Sequence, residues 1–148
     1  MTAGGLPAAG RALVLDTNIV LDLLVFRDPS TLALAQAIAG GALVWHATSA
    51  MREELRRVLG YPALQTWIGR SGGDADQVMQ QFDRLSESHP EVASTGVPRC
   101  RDPDDQKFID LALALSALLL SKDLAVLRLR RALAERGVVV ATGFSPAA

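Results

Sequence analysis

The segment ALVLDTNIV, residues 12–20, is an apolar run that stops at Asp16 and passes through Thr17 and Asn18 into a second apolar stretch. Consecutive apolar positions suit a strand covered on both faces, as parallel strands are when helices flank the sheet. Asp16 then stands at the carboxyl end of that strand, the edge of an open α/β sheet where ligands bind. Aspartate followed by Thr and Asn is equally the start of a helix, with Asp16 as its N-cap. On this segment alone both readings stay open.

Outward from this segment, strands and helices alternate. A short helix is expected over 20–26, a break at Asp28, Pro29 and Ser30, and a second helix over 31–39 that Gly40 and Gly41 stop. Residues 43–45 read as the second strand, and Ser49 opens a helix through Leu59 with Glu53 as its capping-box partner. Gly60, Tyr61 and Pro62 end that helix. Residues 64–87 read as a helical excursion, broken at Ser71, Gly72 and Gly73 and continued by an amphipathic helix using Val78, Met79, Phe82 and Leu85. An edge strand is expected within 89–97, which holds Pro90 and Gly96. The last third predicts a helix over 104–115, a strand over 117–121, a helix over 124–136 stopped by Gly137, and a strand over 138–141. Such alternation means βαβ units and a mostly parallel sheet.

The 148 residues fit one domain. Residues 1–10, MTAGGLPAAG, read as a flexible N-terminal arm, 11–142 as the folded domain and 143–148 as a C-terminal tail. Half of the chain is hydrophobic and 21% is charged, which excludes general disorder. The formal charge of −1 conceals a preference for arginine: of the 15 basic residues only Lys107 and Lys122 are lysine. Arginine suits bidentate phosphate contact but is also the ordinary solvated face of a helix. The apolar run 111–120 is too short to span a bilayer, and no charged segment precedes an apolar one as in a secretory signal. No membrane contact is therefore expected. Cys100 stands alone, which suits a reducing, cytoplasmic location.

Acids recur where strands end and on inward helix faces. Asp123 follows the strand at 117–121, so it lies at the same sheet edge as Asp16; on its own it reads more readily as an N-cap. In the 49–59 helix, Met51, Leu55, Val58 and Leu59 define a buried face, with Glu54 on its border and Glu53 on the far side. Asp105 shares the inward face of Phe108, Ile109 and Ala112, whereas Asp110 lies opposite and is expected in solvent. Asp102 and Pro103 read as N-cap and first helical position, with Asp105 a possible capping-box acid and Asp104 a dipole partner or outer-shell acid. Inward charges are costly unless compensated. Asp16, Glu54, Asp105 and Asp123 would repel one another unless divalent cations neutralise them, and an oxygen-only set suits Mg²⁺ or Mn²⁺. Cys100, His46 and His89 lack zinc-ligand spacing, and the histidines read as strand-end and loop residues.

Four blocks, LVLDTNIVLDLL at 13–24, SAMREELRRVL at 49–59, CRDPDDQKFIDLALA at 100–114 and LLLSKDLAVL at 118–127, together resemble the PIN domain, in particular its VapC-type ribonuclease toxin branch. The likeness runs from about Ala12 to Val140. It implies a three-layer α/β/α fold with a mostly parallel five-stranded sheet, and a Mg²⁺- or Mn²⁺-dependent endoribonuclease holding one or two ions. The family's acids fall on Asp16, Glu54, Asp105 and Asp123, with Asn18 as the polar partner of the first and Asp102 in indirect support. In the expected reaction water attacks an RNA phosphodiester, Thr17 or Asn18 orients water or phosphate, and Arg56, Arg57, Arg99 or Arg101 contacts the backbone. Such toxins pair with an antitoxin protein and often form homodimers. Two departures stand out. Lys122 precedes the fourth acid where the family usually has a small residue, and Gln106 replaces a frequent acid. The rival readings are a non-catalytic PIN-like module that binds RNA or protein, its acids reduced to caps and its site blocked by Lys122, and a haloacid dehalogenase-like phosphatase. The latter usually needs a second Asp where Asn18 stands.

Overall fold

A computed structural model describes residues 10–96 and 98–146. The chain runs β1 (Arg11–Leu15), α1 (Thr17–Leu24), a 3₁₀ turn (Pro29–Thr31), α2 (Leu32–Ala39), β2 (Leu43–Ala47), α3 (Ser49–Leu59), α4 (Pro62–Arg70) and α5 (Ala75–Leu85). It continues with β3 (Ser86–Ser88), a 3₁₀ turn (Pro103–Asp105), α6 (Gln106–Leu115), β4 (Leu118–Leu120), α7 (Leu124–Leu127), α8 (Arg130–Ala134) and β5 (Val139–Ala141). All five strands are parallel, in the order β3-β2-β1-β4-β5, and helices flank the sheet in the three-layer α/β/α arrangement. Central β1 buries Leu13, Val14 and Leu15, as a strand covered on both faces should. Trp45 of β2 meets Phe82 of α5 edge-on with centroids 5.0 Å apart, while Phe108, Ile109 and Ala112 hold α6 to the core.

Several local expectations are corrected. The edge strand is Ser86–Ser88, ahead of the segment 89–97; it pairs in parallel with β2, and its residues Ser86, Glu87 and Ser88 are all polar, so they gave no apolar signal. Thr48, not Ser49, caps α3: its side chain accepts from Met51 N, and Glu53 takes no part. Pro62 starts α4 at its first position, where its missing N–H costs nothing, so the turn that ends α3 also begins the next helix. The helix expected over 124–136 is two, α7 and α8, parted at Arg128 and Leu129; Val126 and Leu133 are both fully buried, and Arg130 Nε donates to Val140 O at 3.1 Å. Asp110, expected in solvent, is buried and accepts from Gln106 Nε2 at 3.0 Å. Residues 1–9 of the expected arm, Val97, and 147–148 of the expected tail lie outside the described residues. Among the described residues no helix is long and apolar enough to cross a membrane.

Candidate active site

The register of β1 against β4 builds the site. Leu15 pairs with Leu120, and Asp16 N donates to Leu120 O at 3.0 Å, so the chain leaves both strands at one edge and side by side. Asp16 follows β1 directly, and Ser121, Lys122 and Asp123 follow β4. The 3₁₀ turn before α6 carries Asp105 to the same place. One oxygen from each of Asp16, Asp105 and Asp123 lies within 4.8 Å of the other two.

Each acid is anchored differently. Asp16 is only 4% exposed and accepts from Ser121 Oγ at 2.6 Å and, more distantly, from Asn18 N at 3.5 Å, so it caps α1 while facing the other acids. Asp123 accepts from Ala125 N at 2.8 Å as the cap of α7, and its own N–H donates to Ser121 Oγ at 3.0 Å. Strand-end acid and helix cap are thus the same residue in both cases. Asp105 has no such anchor: it makes no capping bond, and its buried Oδ2 faces no hydrogen-bond donor among the described residues.

The electrostatics follow from that contrast. Burial above all, then the Asp123 carboxyl against it and the charges of Asp16, Asp123 and Asp102, push the Asp105 carboxyl up to about 8. Burial also raises Asp16, against the lowering effect of its bonds to Ser121 and Asn18 N. At neutral pH the Asp105 carboxyl of the metal-free cluster is therefore largely protonated. A buried acceptor without a donor, inside an all-carboxylate set, is what a hard divalent cation would satisfy. Asp16, Asp105 and Asp123 could hold one.

Glu54 stands at the margin of this group. It accepts from Thr17 Oγ1 and, at 2.6 Å, from Lys107 Nζ, so both its oxygens are engaged outside the three-acid cluster, although its charge still bears on Asp16. Asp102 caps the 3₁₀ turn through Asp104 N at 3.0 Å and touches the cluster only through its field on Asp105. Thr17 is buried, whereas Asn18 is exposed at the lip of the edge. Lys122 turns away from the acids and pairs with Asp22 of α1. Gln106 is occupied structurally: its Oε1 accepts from Cys100 N at 2.6 Å, and its Nε2 donates to Pro98 O at 3.1 Å and to Asp110. Arg56, Arg57, Arg99 and Arg101 are all exposed.

Sequence reasoning passed over three participants: Ser121, Lys107 and Asp22. Only Ser121 left a trace, as the sole polar residue between the apolar β4 run and the Lys122-Asp123 pair. The concavity lined by Leu24, Phe26, Trp67, Ile68 and Gln77 contains none of the acids.

A family model described as PIN domain matches residues 12–125. No curated protein matches. Among solved structures, the chain is similar to one in the crystal structure of VapBC2 from Rickettsia felis bound to a DNA fragment from their promoter, with a TM-score of 0.63 and 13% identity. That likeness covers 88% of this chain and 97% of the other, and at this identity it is a likeness of fold.

Proposed function

This chain belongs to the PIN-domain family, whose members are generally nucleases, and on that premise we propose that it is a divalent-metal-dependent endoribonuclease that hydrolyses RNA phosphodiester bonds. The observation that carries the reading is the meeting of Asp16, Asp105 and Asp123 at one sheet edge, with a buried Asp105 oxygen lacking a donor. Those three residues would hold Mg²⁺ or Mn²⁺, with Glu54 at the rim of the site. When bound, the cation supplies positive charge that offsets the phosphoryl oxygens in the transition state and acidifies the attacking water.

The chain's own residues prepare that step. Ser121, fully buried, bonds to Asp16 and to the Asp123 backbone, and so fixes two carboxylates before any ligand arrives. Asp105 must release its proton as the cation binds, which ties occupancy to pH. Lys107 and Thr17 hold Glu54, and Lys107 places a positive charge beside the cleft where a phosphate would approach. Asn18, exposed at the lip, is placed to orient water or phosphate.

A further part of the proposal is that the protein is the toxin of a toxin-antitoxin pair with an antitoxin protein as partner, which the likeness to a VapBC2 chain supports, and that it works as a homodimer in the cytoplasm. Residues 11–142 then form the nuclease domain, flanked by the arm and the tail. The reading as a non-catalytic module rested on the acids serving only as caps and on Lys122 blocking the site; Asp16 and Asp123 do cap α1 and α7, but both also meet Asp105, and Lys122 pairs with Asp22. Asp16→Asn should abolish RNA cleavage in Mg²⁺ or Mn²⁺ with little loss of thermal stability. Full cleavage by that variant, or by the unaltered protein in excess EDTA, would overturn the nuclease reading.

A further inference from the structure

A cavity of about 250 Å³ opens where the end of α1 meets α4 and α5, away from the acids. Val25 follows Asn18 by two turns along the same face of α1, and Phe26 comes next, ~15 Å from Asp16 at the rise of a helix. Helix α4 contributes Trp67 and the buried Ile68, and α5 contributes Gln77, Gln81 and the buried Val78. Phe26 is 39% exposed and Trp67 47%, and the two rings meet edge-on with centroids 5.2 Å apart and planes at 78°. Rings set edge to face leave π-faces open to a third flat ring. The volume lies below the ~300–1,000 Å³ of pockets for drug-sized molecules, so it suits a single ring system.

The rim of the cavity is polar. Gln81 is partly buried and has no hydrogen-bond partner among the described residues, so its amide offers a donor and an acceptor side by side. Gln77 accepts from Asp74 N at 3.1 Å through Oε1, which leaves its NH₂ as a donor. Arg27 is exposed and forms no ion pair among the described residues. Its backbone is held at φ 48, in the left-handed region where residues other than glycine are rare and gather at ligand clamps. Open aromatic faces, an amide edge and an unpaired cation together match a nucleobase and the phosphate that follows it. A stable protein partner would instead bury ~1,200–2,000 Å² in all, and here the two exposed rings are bounded by Arg27, Asp74, Gln77 and Gln81.

We propose that this cavity is a nucleobase subsite, in which one base of an RNA strand stacks on Trp67, bonds by its edge to the Gln81 amide and has its phosphate held by Arg27. The distance along α1 says which base: at a stacked rise of ~3.4 Å per nucleotide, ~15 Å places it about four or five nucleotides from the bond at the acids. A base held so far from the reacting phosphate adds selection without touching the chemistry. The proposal rests on RNA as the substrate and names a part of the protein that would choose it.

Tryptophan emission supplies the readout, because Trp45 is fully buried and Trp67 is the exposed one of the two. The full chain in EDTA is titrated with an RNA of about eight nucleotides and, separately, with inorganic polyphosphate of similar charge. RNA should quench the emission and polyphosphate should leave it unchanged. Trp67→Leu, a surface change that keeps the helix propensity of α4, should weaken binding of a labelled RNA about tenfold, and Gln81→Ala about threefold. In Mg²⁺ the same loss should appear in KM with kcat unchanged. Equal quenching by polyphosphate, an unchanged RNA affinity in Trp67→Leu, or emission that shifts with protein concentration alone, as a second copy covering the ring would cause, would overturn the proposal. Binding in EDTA is read apart from cleavage: an inert protein that still binds RNA through Trp67 sinks only the nuclease reading, and an active one indifferent to Trp67→Leu sinks only this one.

Discussion

Ser121 Oγ donates to Asp16 Oδ2 at 2.6 Å, joining the first and fourth strands at their carboxyl ends. The same oxygen accepts from Asp123 N at 3.0 Å, so one hydroxyl of a fully buried side chain sets the position of two acids. Ser121→Ala removes a bond to an ionised group and leaves a backbone N–H without its acceptor. A loss of about 1–3 kcal/mol in unfolding free energy is expected from denaturant titration. Because the Ser121 bond lowers the Asp16 carboxyl, its removal raises it further, and Mn²⁺ binding should require higher pH than in the unaltered protein. An unchanged pH profile of Mn²⁺ affinity would show that Ser121 only packs.

The pH dependence of the metal-free protein has a definite sign. Asp105 holds its proton up to a pH of about 8 in the fold and releases it near 3.8 in the unfolded chain. Between those values the native state binds more protons, so the unfolding free energy falls as pH rises. The stabilisation is complete below the unfolded value and is lost through pH about 8. Denaturant midpoints measured in EDTA across this range should decline with pH, and the decline should flatten in Asp105→Asn. Mn²⁺ displaces that proton, so its affinity should climb toward pH 8 and level off above it. Parallel slopes for the two proteins would contradict this assignment of the proton.

How much of this the sequence could convey depends on which contacts are local. Asp16 and Asp123 each follow a continuous apolar run, and Asp105 shares a helical face with Phe108, Ile109 and Ala112, so their common edge can be read from periodicity. The Ser121–Asp16 and Lys107–Glu54 bonds arise from strand register and helix packing between distant segments, which no spacing rule encodes. Asp110 shows the limit of a helical wheel: its outward face is covered by the loop that Gln106 ties down through Pro98 and Cys100. Strand β3 was illegible because Ser86, Glu87 and Ser88 carry no apolar pattern, and its pairing with β2 also brings the His46 and His89 rings together.

Lys122 is a case where adjacency in sequence misleads. It stands next to Asp123, yet its ammonium group pairs with Asp22 and is half exposed. Asp22 is only 16% exposed, so Lys122→Ala leaves a largely buried carboxylate unpaired and should lower the unfolding free energy by about 1–2 kcal/mol, the half-exposed lysine keeping the loss at the low end. Mn²⁺ affinity and RNA cleavage should stay within about twofold, a change worth under half a kcal/mol. A large gain in Mn²⁺ affinity would mean that the lysine competes with the ion.

Lys107 should behave in the opposite way, because its partner belongs to the rim of the site. Its Nζ lies 2.6 Å from Glu54 Oε1, the two side chains are 23% and 14% exposed, and it also contacts Asp104 O and the Phe108 ring. Lys107→Met keeps the length and apolar contact of the stem but leaves Glu54 as an uncompensated carboxylate within the field of Asp16. The metal-free protein should lose about 1–3 kcal/mol, as expected for a charged hydrogen bond whose partner stays largely buried. A cation at the acids then relieves more repulsion than before, so Mn²⁺ should raise the melting temperature of Lys107→Met by more than that of the unaltered chain. Adding Glu54→Gln to Lys107→Met removes the stranded charge and should restore most of the metal-free stability. If Glu54→Gln restores nothing, the lysine acts through its packing on Phe108 and not through its charge.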